Sequence, residues 1–214
     1  MNWDITPVGG LLRNSMRIAV DKNQTIGSHG KSNARKHNAL RKMGVALEVL
    51  PVPVGDYVLI DDAVQAVLDR KKARGIPVKK MDLLAPIKRT VDTKKSLVEI
   101  AGNVCNAKGH ARFKDELLLA QENGIEFYLL IENTEGVKTL NDLFAKGKTP
   151  IRECAWKMDK HGQERWLPIH TTKVACMTLA KALYTISKKY DVHIVFCKPS
   201  EAADYIKLIL RNGN

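Results

Sequence analysis

Apolar positions recur along this chain with two different periods, and the changes of period mark out its elements. RIAV at 17–20, VALEVL at 45–50 and YVLI at 57–60 are short continuous apolar runs of the kind that form buried strands. ARKHNALRKM at 34–43 reads as a helix stopped by Gly44, and residues 61–74 read as a second helix. That second helix opens on Asp61-Asp62, carries Val64, Val67 and Leu68 on one face and stops at Gly75. IKRTVDTK at 87–94 sets Ile87 and Val91 among the β-branched Thr90 and Thr93, which predicts a strand. The pattern turns helical at Ser96, where Ser96-x-x-Glu99 has the form of a capping box. Helix 110–122 directs Phe113, Leu117 and Ala120 inward, and IEFYLLIE at 125–132 is a nearly continuous apolar strand of the kind buried in a mixed sheet.

After Glu132 the pattern loosens. A short helix is expected at 139–145, then a stretch rich in Gly, Pro and charge containing Trp156 and Trp166. That stretch reads equally as a hairpin packed on the core edge or as a substrate-contacting flap. A long helix follows from Thr171 to Tyr190, with Cys176, Leu179, Leu183, Ile186 and Tyr190 at helical spacing. A strand at 192–197 and a helix capped by Ser200, with Ala203, Ile206 and Leu210 inward, complete the chain. The apolar stripes of these last helices fit core packing and a homodimer interface alike. The sum is an α/β chain, a mixed β-sheet flanked by helices.

Composition narrows the class. At 214 residues with 44% hydrophobic content the chain can bury one good core, and it shows no internal repeat or low-complexity stretch. It has no run of 18 apolar residues, and MNWDITPVGG lacks a signal pattern, so a soluble, intracellular protein without membrane contact is expected. Four widely spaced cysteines without a C-x-x-C pair argue for reduced, mostly buried thiols rather than a zinc site. Lys and Arg total 35 against 23 Asp and Glu, a formal net charge of +12 and a pI near 9.6, which favours phosphate backbones as partners. DRKKARGIPVKK at 69–80 holds six of the basic residues and KSNARKHNALRK at 31–42 holds five. Each run is either a nucleic-acid contact or a solvated helix face. Aromatics make up 6% and few lie in the basic runs, so no stacking platform for single strands is expected.

The candidate chemistry lies in Gly55-Asp56-Tyr57 and Asp92-Thr93-Lys94. Asp92 and Lys94 are two apart on a strand and project to one face, setting a carboxylate beside an ammonium. Phosphodiester hydrolysis uses carboxylates to hold a hard cation and a positive group to orient water or offset phosphate charge. A competing motif, TIGSHGKS at 25–32, ends like a phosphate-binding loop, but Thr25 stands where that loop needs Gly. A flexible loop placing His29 near the active face is the reading adopted.

In this order the motifs resemble the XPF-type structure-specific nucleases of the restriction-endonuclease-like superfamily. MRIAVDKNQ places Asp21 in the position of the first acid, Gly55-Asp56-Tyr57 is intact, and Asp92-Thr93-Lys94 replaces Glu-Arg-Lys. HARFKDELLLAQENGIEFYLLIEN at 110–133 is similar to the family's Arg-bearing helix and buried strand, and FCKPSEAADYIKLIL at 196–210 to its closing helix. Asn23-Gln24 stands where the family has Arg-Glu, and Val98 occupies the distal Asp position, with Glu99 one residue on. A one-residue step on a helix turns the side chain by about 100°, so Glu99 is assigned to capping.

The resemblance implies a restriction-endonuclease-like fold and a metal-dependent DNA endonuclease, with DNA repair or recombination as its setting. Asp56 and Asp92 with the Thr93 carbonyl would hold Mg²⁺ or Mn²⁺, with Asp21 at the outer edge. Lys94 would position the attacking water and Arg112 would bind a phosphate. The basic Arg70, Lys71, Lys72 and Arg74 would touch duplex or branched DNA. The variant core is similar to small single-domain members from bacteria and phages, implying the cytoplasm of a bacterial or phage-infected cell, at the nucleoid. One domain over 1–214 is expected: a catalytic core at 16–133, a helical insertion at 61–86, and an extension at 134–214 that completes the core. The alternative is a nucleic-acid-binding module of the same fold with weak or no turnover.

Overall fold

The computed structural model describes residues 16–211 apart from Ile26, Asp159 and the side chains of 27–32. The N-terminal segment and the His29 side chain considered above lie outside the described residues. Six strands make one mixed sheet: β1 (Arg17–Asp21), β2 (Ala46–Leu50), β3 (Tyr57–Leu59), β4 (Arg89–Lys94), β5 (Glu126–Glu132) and β8 (Val192–Cys197). Their order is β2-β1-β3-β4-β5-β8. β3 runs antiparallel to both its neighbours, and every other pairing is parallel. A separate antiparallel pair is formed by β6 (Pro150–Met158) and β7 (Glu164–Ala175). Seven described helices flank the sheet: α1 (Gly27–Lys42), α2 (Asp62–Ala73), α3 (Leu97–Val104), α4 (Ala107–Glu122), α5 (Leu140–Ala145), α6 (Cys176–Tyr190) and α7 (Ala202–Arg211).

Alternation along the strands divides the interior into two layers. Ile18, Val20, Tyr57, Val91 and Leu130 face α1 and α7, meeting Leu40, Ala203, Ile206 and Leu210. Ala19, Val58, Phe127, Leu129 and Ile131 face the other way, against Ile100 of α3, Phe113 and Leu117 of α4, and Leu179 and Leu183 of α6. The stripes of α6 and α7 are thus core-facing. Residues 61–86, between β3 and β4, form α2 and a 3-10 turn at Lys80–Leu83. Asp61 caps α2 by accepting from the Val64 N–H at 2.9 Å. All four cysteines are free, and burial pushes the Cys176 and Cys197 thiols up, the latter to about 12.

Three expectations change and one is met. Residues 27–33 belong to α1 rather than to a loop, because the helix face that meets the sheet is polar. Asn33, Lys36, His37 and Leu40, at helical spacing, are all buried. His37 Nε2 lies 3.0 Å from the Tyr57 hydroxyl and Lys36 forms an ion pair with Glu132, so this face is held by polar contacts where a hydrophobic pattern finds nothing. Residues 171–175 extend β7 instead of opening α6, since Thr171 pairs with Arg152 and Ala175 with Pro150. Ser96 and Glu99 cap α3 as expected: Ser96 Oγ accepts from Glu99 N–H at 3.2 Å, and the Glu99 carboxylate reaches back to the N–H of Lys95 at 2.8 Å. The last helix starts at Ala202, past Ser200, with the Glu201 carboxylate accepting from Lys198 N–H at 3.0 Å.

Candidate active site

The site is built where β3 enters the sheet between β1 and β4. Gly55 has φ +70°, and a Cβ there would lie 2.2 Å from Thr90 Oγ1, which itself donates to the Val54 carbonyl at 2.8 Å. No other residue type fits this close turn without strain. The turn delivers Asp56 between two strands: its N–H donates to Val91 O and its carbonyl accepts from Asp21 N–H, both at 2.9 Å. Its side chain is equally fixed. Oδ2 accepts from the Thr93 N–H at 2.8 Å and from Thr93 Oγ1 at 2.7 Å, and Oδ1 accepts from Gln24 Nε2 at 2.6 Å. Because a carboxylate only accepts, the Gln24 amide nitrogen must face it. Gln24 Oε1 then accepts from Asn33 Nδ2 in the buried base of α1.

On β4, Lys94 Nζ lies 2.6 Å from Asp92 Oδ2 and 5.4 Å above the Phe113 ring. Glu116 of α4 accepts from the Gly55 N–H at 2.7 Å. Asp21 Oδ1 accepts from Asn23 N–H at 2.9 Å, whereas its buried Oδ2 has no hydrogen-bond donor among the described residues and lies 3.7 Å from Lys80 Nζ. Asp21, Gly55, Asp56, Asp92, Lys94 and Glu116 line a cavity of about 740 Å³, with Arg112 and Glu99 on its wall. Burial, the largest influence on Asp92, pushes its carboxyl up; Lys94 opposes this, and the Asp56 and Glu116 carboxylates add to it. Burial pulls the Lys94 ammonium down, but Asp92 and Asp56 outweigh it and the net shift is upward. Carboxylates crowd the buried Lys94 ammonium, and over the whole cavity wall Asp21, Asp56, Asp92, Glu99, Asp115 and Glu116 outnumber Lys80, Lys94, Lys95 and Arg112, an excess of negative charge that suits a further cation.

Asp21, Asp56, Asp92, Thr93, Lys94 and Arg112 therefore meet in one cavity. Arg70, Lys71, Lys72 and Arg74 do not line it; they lie on and just beyond the last turns of α2, Lys71 pairing with Asp82 at 2.7 Å. From the same basic run it is Lys80 that reaches the cavity. Sequence reasoning missed Glu116, although it stands four residues after Arg112 on the same helix ridge. At Gln24 it noted the missing acid but not that the amide there holds a site carboxylate.

For a metal the donor chemistry fits. The pocket offers oxygen ligands only, an orphaned buried Asp21 Oδ2 and surplus negative charge, which suit a hard divalent ion. Among the described residues no three Asp, Glu, His or Cys side chains converge on one point. An ion here would keep waters or take substrate oxygens, as Mg²⁺ commonly does.

The model of the ERCC4 domain matches residues 23–209 of this chain. The chain belongs to the ERCC4 domain family, a nuclease family to which the XPF-type enzymes belong. Among solved structures it is similar to XPF from Aeropyrum pernix, alone and in complex with DNA. Each is 13% identical with a TM-score of 0.49, and the match covers 92% of this chain and 64% of the other. This chain thus spans less than two-thirds of the length of either. No match was found among curated proteins.

Proposed function

We propose that this protein is a metal-dependent DNA endonuclease that hydrolyses phosphodiester bonds, with branched or duplex DNA as substrate. The observation that carries this reading is the buried Asp92–Lys94 pair facing Asp56 in a polar cavity. Buried charge is costly and is seldom kept without a task. Asp56, Asp92 and the Thr93 carbonyl would hold Mg²⁺ or Mn²⁺, with Asp21 behind them. Such an ion, when bound, supplies Lewis-acid stabilisation of phosphate charge and acidifies a water.

The chain's own groups do the rest. Asp92 holds Lys94 in place, and the ammonium, kept protonated by its carboxylate neighbours, orients the water and offsets charge on the phosphate. Arg112 on the wall binds a phosphate oxygen pair through its planar guanidinium. Gln24 and Thr93 hold Asp56 ready, so little reorganisation is needed when substrate arrives.

One observation favours a second reading, a binding module with weak or no turnover: Gln24 occupies Asp56 Oδ1 with an amide where the resemblance implies an acid. Labelled linear, forked, flapped and cruciform DNAs incubated with Mg²⁺, Mn²⁺ or chelator decide between them. Cleavage that needs the metal supports the nuclease. Binding to these DNAs with no cleavage of any supports the module.

A further inference from the structure

Beyond the cavity, the β6–β7 ribbon has features that the proposed nuclease chemistry leaves unexplained. Its strands pair with each other and not with the main sheet. Ile151 at its base is buried, but none of the described residues from 152 to 170 is. A ribbon so solvated has no core to build, yet Trp156 is 66% exposed, Met158 64% and Trp166 41%. Trp156 and Trp166 are directly opposed, with ring centroids 5.6 Å apart at 62°. Such a cross-strand pair steadies a hairpin, but that alone does not require two large rings left open to solvent.

Charge points the same way. Lys157 and Arg165 stand opposite each other, a like-charge pairing that disfavours the isolated ribbon. Over residues 150–175 five Lys and Arg outnumber three Asp and Glu. Strand alternation sends Lys157 and Arg165 to the face opposite the two rings, and it is their length that lets the charges reach round the edge of the two-stranded ribbon. The ribbon is also continuous with the candidate active site. Lys95, next to Lys94, lines both the main cavity and a 110 Å³ cleft shared with Arg152 and Cys154 at the ribbon base.

We infer that the β6–β7 ribbon is a contact surface for unpaired DNA, in which Trp156 and Trp166 stack on bases while Lys157, Lys160 and Arg165 hold phosphates. The inference rests on the reading of this protein as acting on DNA. Aromatic rings accept any base face, so the contact is sequence-tolerant, and the flanking cations make it salt-dependent. The ribbon thereby holds an unpaired strand that leaves the cavity past Lys95. It is the stacking platform that the sparse aromatics of the sequence argued against.

The test uses the full chain in chelator, with oligo(dT) and a fully paired duplex as probes, read by anisotropy and by quenching of tryptophan fluorescence. Trp156→Ala/Trp166→Ala is expected to lose the ribbon's share of the quench and to bind oligo(dT) about tenfold or more weakly. Its duplex affinity should stay within about twofold. Trp156→Phe keeps a ring and should retain most of the oligo(dT) affinity. Unchanged oligo(dT) affinity in the double variant overturns the inference. So does an equal loss for both probes, which would assign the rings to ribbon integrity, or concentration-dependent self-association abolished by the double variant. A protein that cleaves none of the labelled DNAs but loses oligo(dT) binding in the double variant would sink the nuclease reading and leave this inference standing. One that cleaves DNA while the double variant binds normally would do the reverse.

Discussion

The cavity and helix α2 both display charged residues a few positions apart in sequence, and they treat them in opposite ways. In the cavity Asp56, Asp92 and Lys94 are all buried, each held by named partners. On and after α2, Arg70, Lys72 and Arg74 are exposed. Where they are buried, these charges interact strongly with their neighbours, and removing one alters chemistry. On the solvated helix the same charge is weakened by water and screened by salt over about 10 Å, and acts on encounter and affinity. Charge count alone does not separate a site from a surface; burial with retained partners does.

The largest expected effect is on the buried side. Asp92→Asn should lower the single-turnover cleavage rate by about 1,000-fold, since transition-state charge stabilisation of this kind is worth several kcal/mol. An unchanged rate would break the comparison, because a buried carboxylate would then be chemically idle. Gly55→Ala should cost about 3 kcal/mol of stability in urea unfolding, from the left-handed φ and the overlap with Thr90 Oγ1. If the midpoint hardly moves, the close turn that delivers Asp56 is not as tight as the geometry requires.

The buried polar face of α1 sharpens the contrast through pH. Burial, then Arg41 and Lys36, lowers the His37 imidazole to about 4. The unfolded chain, with an ordinary pKa near 6.5, therefore binds the proton more readily than the folded chain between those values. Stability from this residue is complete above about pH 6.5, falls as pH drops towards 4, and is gone below it, a total of about 3 kcal/mol. Urea titrations of wild type and His37→Gln across that window should show the slope in the first and a flatter line in the second; parallel lines would refute it.

The smallest effect is expected on the exposed side. Replacing Arg70, Lys71, Lys72 and Arg74 with Ser should leave cleavage chemistry intact and weaken binding to all DNA sequences alike. The slope of log affinity against log salt should fall by about 1 for each phosphate that is no longer neutralised. An unchanged slope would make the α2 charges a solvated face and nothing more.

Much of this architecture is legible before any coordinate. Period-2 and continuous apolar runs located all six strands of the main sheet, and the face shared by Asp92 and Lys94 follows from strand alternation alone. Asp61, Gly44 and Gly75 marked helix ends by local chemistry. The first turns of α1, residues 27–33, escaped because the face that meets the sheet there is polar, with Asn33, Lys36 and His37 finding their partners elsewhere in the chain. The β7 extension escaped because Thr171 to Ala175 are placed by pairing with β6, a non-local contact.

What the sequence determined by itself is what depends on neighbours along the chain: the strands, most helix ends, the Gly turn before Asp56 and the acid and base on one face of β4. Only the tertiary structure decided that Gln24 holds Asp56, that Glu116 and Lys80 reach the same cavity while the α2 charges do not, and that Trp156 and Trp166 meet on an open ribbon. The physical reason is the same in each case. Periodicity reports which way a side chain points from its own backbone, whereas burial, hydrogen-bond partners and local dielectric belong to groups brought together from distant parts of the chain, as Gln24 and Asp56 are, 32 positions apart.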